Sequence, residues 1–371
     1  MHSALRFVGA MSLLVGIASG ADAQQTPPVV LTPMGLEGAF IGKKKHEPAT
    51  DISGIACMPP KGMRRICLVI NDENHNAQFA AIENDRLVAG QSIDLIGDKP
   101  DQKSRGAPPT ITCEANGKFK DLDGEGVAYA EPYFYVVGSH GCSRNQNELR
   151  LSSFLLARVR VDSEGRPAGS DGKPLSAADS SQAVETSWRV SDLLGRAGKA
   201  GDFFGKNPKS DNGLNIEGLT VDGDTIWLGL RAPVIKGNNV DEAFLVRGSV
   251  ADLFRDGHDR ATVFHDVVPL GLDGLGVRDL ATLPGGRLLI LAGAAHGPEV
   301  PFKLFVFNSA TKSELVGTLP AVDGPGKDNK NELGKAEAVT VLAATPERAS
   351  IVILFDGLID GSPQRTEIKL P

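Results

Sequence analysis

Basic residues are in the minority, 39 Lys and Arg against 46 Asp and Glu for a net charge of −7, and no basic stripe interrupts the chain. A nucleic-acid partner is therefore not expected. Aromatic residues are scarce at 5%. No apolar run after Gln24 approaches the roughly 20 residues of a spanning helix, so no membrane span is expected. The Gly-x-Ser-x-Gly elbow, the P-loop, His-Glu-x-x-His and Cys-x-x-Cys are all missing. Serine-hydrolase, nucleotide-hydrolase and zinc chemistries lose their usual supports with them.

What the chain has is turns. Gly 43 and Pro 23 punctuate short Val-, Ile- and Leu-rich runs, the mixture of an all-β protein. Residues 1–6 form a short basic start, 7–20 are apolar, and Ala21-Asp22-Ala23 offers a small-x-small cleavage site. Residues 1–23 are thus expected to be a secretory signal peptide, too short for an anchor, and 24–371 a single domain in the periplasm or outside the cell. Cys57, Cys67, Cys113 and Cys142 make an even set, which in an oxidising compartment invites disulfides.

Internal similarity organises the rest. A polar or acidic residue, a small one and an apolar one recur in Ser53-Gly54-Ile55, Glu125-Gly126-Val127, Glu217-Gly218-Leu219, Arg278-Asp279-Leu280 and Glu337-Ala338-Val339. In the fourth copy Asp279 is aligned to the acidic place and the small residue is missing. Each copy leads through a turn into a more apolar run, such as 133–137 or 288–291, and third and fourth runs follow, as at 243–247 and 262–268. The same step of 14 residues leads from Glu125 to Ser139, Glu217 to Arg231 and Asp279 to Gly293. One hairpin geometry is being repeated. Four antiparallel strands per unit and five units predict a β-propeller of five blades, or six if part of 30–50 or 195–212 pairs up. Two tandem β-sandwiches are the alternative. The last unit lacks an outer strand, which residues 29–32 can supply. Stretches 162–182 and 195–212 predict surface loops. In this register Cys57 faces Cys67 across the first hairpin, while Cys113 and Cys142 fall at the same end of one blade, so these two pairings are expected.

The innermost strand of each blade lines a propeller's channel. The repeats therefore gather Glu125, Glu217, Asp279 and Glu337 on one face, with Asp51 or Ser53, and add Asp72, Glu73, His75, His140, Arg231, His296 and Asp356 from the ends of the second strands. Converging carboxylates repel unless a cation separates them. Oxygen donors without sulfur suit a hard ion, which makes Glu125, Glu217, Asp279 and Glu337 candidate ligands of Ca²⁺, ahead of Mg²⁺ or Mn²⁺. Arg231 and Arg278, with Lys335, could hold a phosphate ester, and Asp72, Glu73 or His140 could act as general base toward an ion-activated water. The same carboxylates could instead bond a neighbouring blade and only hold the ring together. Asp121-x-Asp123-Gly124 opens like a calcium loop, but Pro132 stands where an EF-hand needs its closing Glu.

Asp123-Gly124-Glu125-Gly126-Val127-Ala128-Tyr129, Gly138-Ser139-His140, Leu214-Asn215-Ile216-Glu217-Gly218-Leu219, Gly229-Leu230-Arg231-Ala232-Pro233 and Gly276-Val277-Arg278-Asp279-Leu280 resemble a bacterial family of exported propellers known as domain of unknown function 3616. More distantly they are similar to the esterase-like phytase propellers. The resemblance runs from about Asp51 onward and implies the fold. It implies no reaction, and the acidic calcium loops of the phytase type have no residue-by-residue match here. The expected activity is that of a secreted, monomeric, divalent-metal-dependent hydrolase acting on a phosphoester. The rivals are a lactonase-type hydrolase and a non-catalytic propeller that binds a small-molecule ligand or a protein partner.

Overall fold

The computed structural model describes residues 28–43, 47–237, 240–261, 266–296, 300–308 and 313–371. The expected signal peptide and positions 262–265 of one expected strand lie outside the described residues.

Five antiparallel sheets form the blades of a propeller. From the axis outward, blade one is Ile52–Cys57, Arg65–Asn71, Asn76–Glu83 and Arg86–Asp94. Blade two is Gly124–Ala130, Tyr133–Gly138, Leu156–Arg160 and Val184–Ser187. Blade three is Asn215–Asp222, Thr225–Ile235, Glu242–Ser249 and Asp266–Gly271. Blade four is Gly276–Leu283, Arg287–Gly293, Lys303–Phe307 and Glu314–Thr318. Blade five is Lys335–Ala344, Arg348–Asp356 and Gln364–Lys369, completed by Thr32–Pro33 from the start of the chain. Blades pack face to face, so their middle strands are buried on both sides. That explains uninterrupted runs such as Leu288-Leu289-Ile290-Leu291, all buried.

The 30–50 region does not found a sixth blade: Gly35–Glu37 pairs in parallel with Arg86–Asp94 and widens blade one to five strands. The stretch after residue 195 runs at the surface for most of its length, as expected, but is anchored inward at its start. It coils through short helical turns whose Ala197 and Ala200 are buried with Leu193 and Leu194 between blades two and three. Small apolar residues among the glycines and charges make that burial possible, a signal that turn composition hides. Both disulfides form as expected, Cys57–Cys67 between directly opposed residues and Cys113–Cys142.

The inner hairpin of every blade carries a bulge at the same place. Pairing steps from Gly124↔Gly138 to Gly126↔Val137 in blade two, from Ile216↔Leu230 to Gly218↔Gly229 in blade three, and from Val277↔Ala292 to Asp279↔Leu291 in blade four. Blades one and five step over one residue in the same way. The residues left without a cross-strand partner are Ser53, Glu125, Glu217, Arg278 and Glu337. A bulge frees one residue from the ladder and re-aims its side chain, a frequent device beside functional sites. The structural equivalent of Glu125 in blade four is therefore Arg278, one residue before the Asp279 that sequence matching selects.

The residue after each bulge faces the next blade at close range. A Cβ at Gly126 would lie 2.7 Å from Leu219 Cβ, and one at Gly218 would lie 2.9 Å from Leu280 Cγ. This is why the repeat needs a small residue there. Blade four solves the contact differently, with Asp279.

Candidate functional site

The bulge residues begin their strands at one end of the channel, where a cavity of about 990 Å³ opens. Blades five, one and two contribute the carboxyl groups of Glu337, Asp356, Asp51, Asp72, Asp123 and Glu125, with Lys335, Lys43 and Arg150 among them; Arg231, Arg144, Lys209 and His296 also line it, beside Glu217. No Phe, Tyr or Trp lines it among the described residues. Deeper in the channel, Ile55, Val127, Leu280, Val339, Thr220 and Thr340 surround a space of only about 70 Å³. Polar chemistry is thus confined to the mouth.

Arg278 organises the ring. Its side chain is fully buried, and Nη1 donates to Glu217 Oε2 at 2.8 Å and to Glu337 Oε1 at 2.6 Å. Arg231 Nη1 holds the other oxygen of Glu217 at 2.5 Å, and Asn215 Nδ2 adds a 3.3 Å hydrogen bond. Burial alone would raise the Glu217 pKa, but the two guanidiniums outweigh it and hold the carboxyl below its ordinary value. Glu337 goes the other way: burial first and Asp356 next push it up to about 8, against the pull of Arg278.

Glu125 accepts no hydrogen bond from a described residue, and burial followed by Glu217, Asp123 and Asp72 drives its pKa well above the ordinary range. Asp72 is raised in the same way by burial, Asp123 and Asp356, and its Oδ1 is buried without a hydrogen-bond partner. Asp123 is raised by burial, while Ser139 Oγ donates to it and opposes the shift. Carboxyls this crowded oppose one another's ionisation.

Other expected site residues fall elsewhere. Asp279 does not line the cavity. It is fully buried, and its carboxylate accepts from Leu280 N at 2.8 Å, Val339 N of blade five at 2.7 Å and Leu219 N of blade three. It is a staple between blades, in line with the purely structural alternative. Ser53 does the same, its Oγ donating to Gly124 O at 2.6 Å. His140 is fully buried and also off the lining; its Nδ1 lies 2.8 Å from Gly138 O, its ring packs edge-on to Phe154, and burial lowers its pKa to about 4. A general base without access to the cavity cannot reach substrate water. Glu73 lines the rim, paired with Lys43 at 2.5 Å, and Asp356 is paired with Lys335 at 2.7 Å. His75 lies off the lining and within 3.5 Å of Asp94.

Glu125, Glu217 and Glu337 thus come together, while Asp279 does not join them. Among the described residues no three Asp, Glu, His or Cys side chains are placed to hold a metal ion. Part of the positive charge the ring requires is covalently built in as Arg278. Arg144, on a loop with no repeat pattern, is one of the lining residues that sequence reasoning misses, with Lys43, Arg150 and Lys209; its nearness to Cys142, whose disulfide partner fixes that loop, is a signal.

The family described as "Protein of unknown function (DUF3616)" matches residues 110–367. No curated protein matches the chain. Among solved structures, the α-L-arabinofuranosidase Arb93A from Fusarium graminearum is similar at 10% identity over 92% of this chain and 96% of its own, with a TM-score of 0.36. The α-L-arabinanase from Penicillium chrysogenum is similar at 11% identity over 93% and 97%, TM-score 0.35. A luciferin-regenerating enzyme is similar at 8% identity over 87% and 92%, TM-score 0.34. Scores of this size carry no inference about chemistry.

Proposed function

The chain belongs to the DUF3616 family, and from that premise, which supplies a fold and no activity, we propose that it is a hydrolase of small polar esters, phosphoesters before lactones, acting at the channel mouth. The observation that carries this reading is one cavity that gathers Glu125, Asp72, Asp123 and Glu337, whose burial and mutual repulsion raise their pKa values, together with Arg231 and Arg144. Groups pushed apart in pKa within one cleft are what acid–base catalysis needs. A neutral carboxyl, Glu125 or Asp72, gives its proton to the leaving oxygen, while an ionised neighbour takes one from the attacking water. The proton inventory of the wall is then unchanged. Arg231, held by Glu217, orients the ester and stabilises its developing negative charge. The lack of Phe, Tyr and Trp favours a charged ligand over an uncharged ring, since apolar ligands are held by apolar and aromatic linings. Two disulfides support an oxidising compartment.

A second reading, a Ca²⁺, Mg²⁺ or Mn²⁺ ion on the carboxyl wall, is favoured by Asp72 Oδ1, buried with no hydrogen bond. The side chains do not stand as a finished metal site, so the reaction above is written without one.

Turnover of p-nitrophenyl phosphate and of a lactone panel, with EDTA and with each ion, tests both. Expected is hydrolysis that Glu125→Gln lowers by about 10²-fold or more with unfolding unchanged. Ion-dependent turnover would establish the second reading. No turnover on either panel would sink the hydrolase and leave a binding protein.

A further inference from the structure

At the mouth a single carbonyl gathers two guanidiniums. Arg144 Nη2 and Arg231 Nε both donate to Ala295 O, each at 3.3 Å. Arg231 is 8% exposed and already committed to Glu217. Arg144 is exposed, and among the described residues its guanidinium bonds Ala295 O and has no carboxylate in ion-pair range. Only its guanidinium is partly buried, and that burial first and Arg231 next lower its pKa, against the pull of Glu217 and Glu125.

The loop that carries Arg144 is built rather than loose. Cys142 is bonded to Cys113, Ser143 N donates to Glu148 O at 2.9 Å, and Asn147 N donates to Ser143 O at 2.9 Å. Two planar forks from different elements, fixed at one point and facing the cavity, suit an oxyanion that offers several oxygens in different directions. Guanidiniums bind phosphate bidentately, and one carboxylate plane would satisfy one fork, not two.

We propose that Arg144 and Arg231 form an oxyanion subsite that takes the terminal phosphate of a phosphomonoester. This rests on the hydrolase reading and narrows it, since a phosphate held there turns its ester oxygen toward Glu125 and Asp72. Inorganic phosphate, the product, then binds the same two residues and competes with substrate.

Calorimetric titration of the full chain with inorganic phosphate at constant ionic strength, alongside chloride and malonate, tests the subsite. Expected is saturable phosphate binding, stronger than that of malonate, weakened at least tenfold in Arg144→Ala and less in Arg144→Lys, with thermal midpoints unchanged because Arg144 is exposed. Glu125→Gln is expected to keep phosphate binding while losing turnover. Phosphate bound no better than chloride, or bound equally by Arg144→Ala, overturns the subsite. Turnover without phosphate binding removes the subsite and leaves the hydrolase; phosphate binding with no turnover on any ester removes the hydrolase and leaves the subsite.

Discussion

Blades two and four carry the same bulge and use it in opposite ways. In blade four the freed residue is Arg278, fully buried and bonded to Glu217 and Glu337. In blade two it is Glu125, which no described residue bonds and which four carboxyl groups crowd. One side chain bridges two carboxyl groups, and the other is bonded by no described residue. The difference shows that the backbone decides where a side chain points, while its neighbours decide whether it is structure or chemistry. Asp279 sharpens the point, since a carboxylate one residue further on is spent on backbone amides.

The comparison predicts a descending series of effects. Arg278→Met leaves Glu217 and Glu337 buried without their shared partner, a loss of about 3–5 kcal/mol by urea unfolding; a loss under about 1 kcal/mol would mean Arg278 is no keystone. Asp279→Ala strips three backbone amides of their acceptor and is expected to cost about 1–3 kcal/mol, with no effect on ligand binding beyond that of destabilisation.

Glu337 makes stability depend on pH. Its folded pKa, about 8, lies above the ordinary 4.5, so the folded state binds the proton more tightly than the unfolded one. Stability conferred by that proton is full below about pH 4.5 and is lost as pH rises through about 8. Urea midpoints measured between those limits should fall in the wild type and fall less in Glu337→Gln; parallel profiles would remove Glu337 as the source.

The smallest stability effect is expected for Glu125→Gln, within about 1 kcal/mol of wild type because it relieves repulsion and breaks no hydrogen bond. A loss as large as that of Arg278→Met would erase the contrast between the two blades.

The fold was legible because it is periodic. Five copies of a polar start followed by an apolar second strand mark the blades and the channel face, and the register of the first hairpin marks the opposition of Cys57 to Cys67. The fourth slot escapes a fixed step of 14 because the turn between Leu283 and Arg287 is one residue longer than those of blades two and three, and matching by charge then selects Asp279 where Arg278 belongs. Glu125, Glu217 and Glu337 were legible as a group, but their states were not, since these depend on Arg278 and Arg231 arriving from neighbouring blades. Arg144 was invisible because its place comes from a disulfide and a carbonyl more than a hundred residues away, and neither leaves a local pattern.

The seam that closes the ring is short. Thr32 pairs with Arg365 and Pro33 with Gln364, helped by Thr366 Oγ1 donating to Val30 O at 2.7 Å and Met34 N to Pro363 O at 2.9 Å. Its partners are more than three hundred residues apart, so this pairing closes a far longer loop than any hairpin within a blade and costs more chain entropy. The ring is held shut by a clasp. The clasp also sets residues 32 and 365 side by side, which makes the seam the natural place to join the ends and recut the chain between other blades without disturbing the mouth.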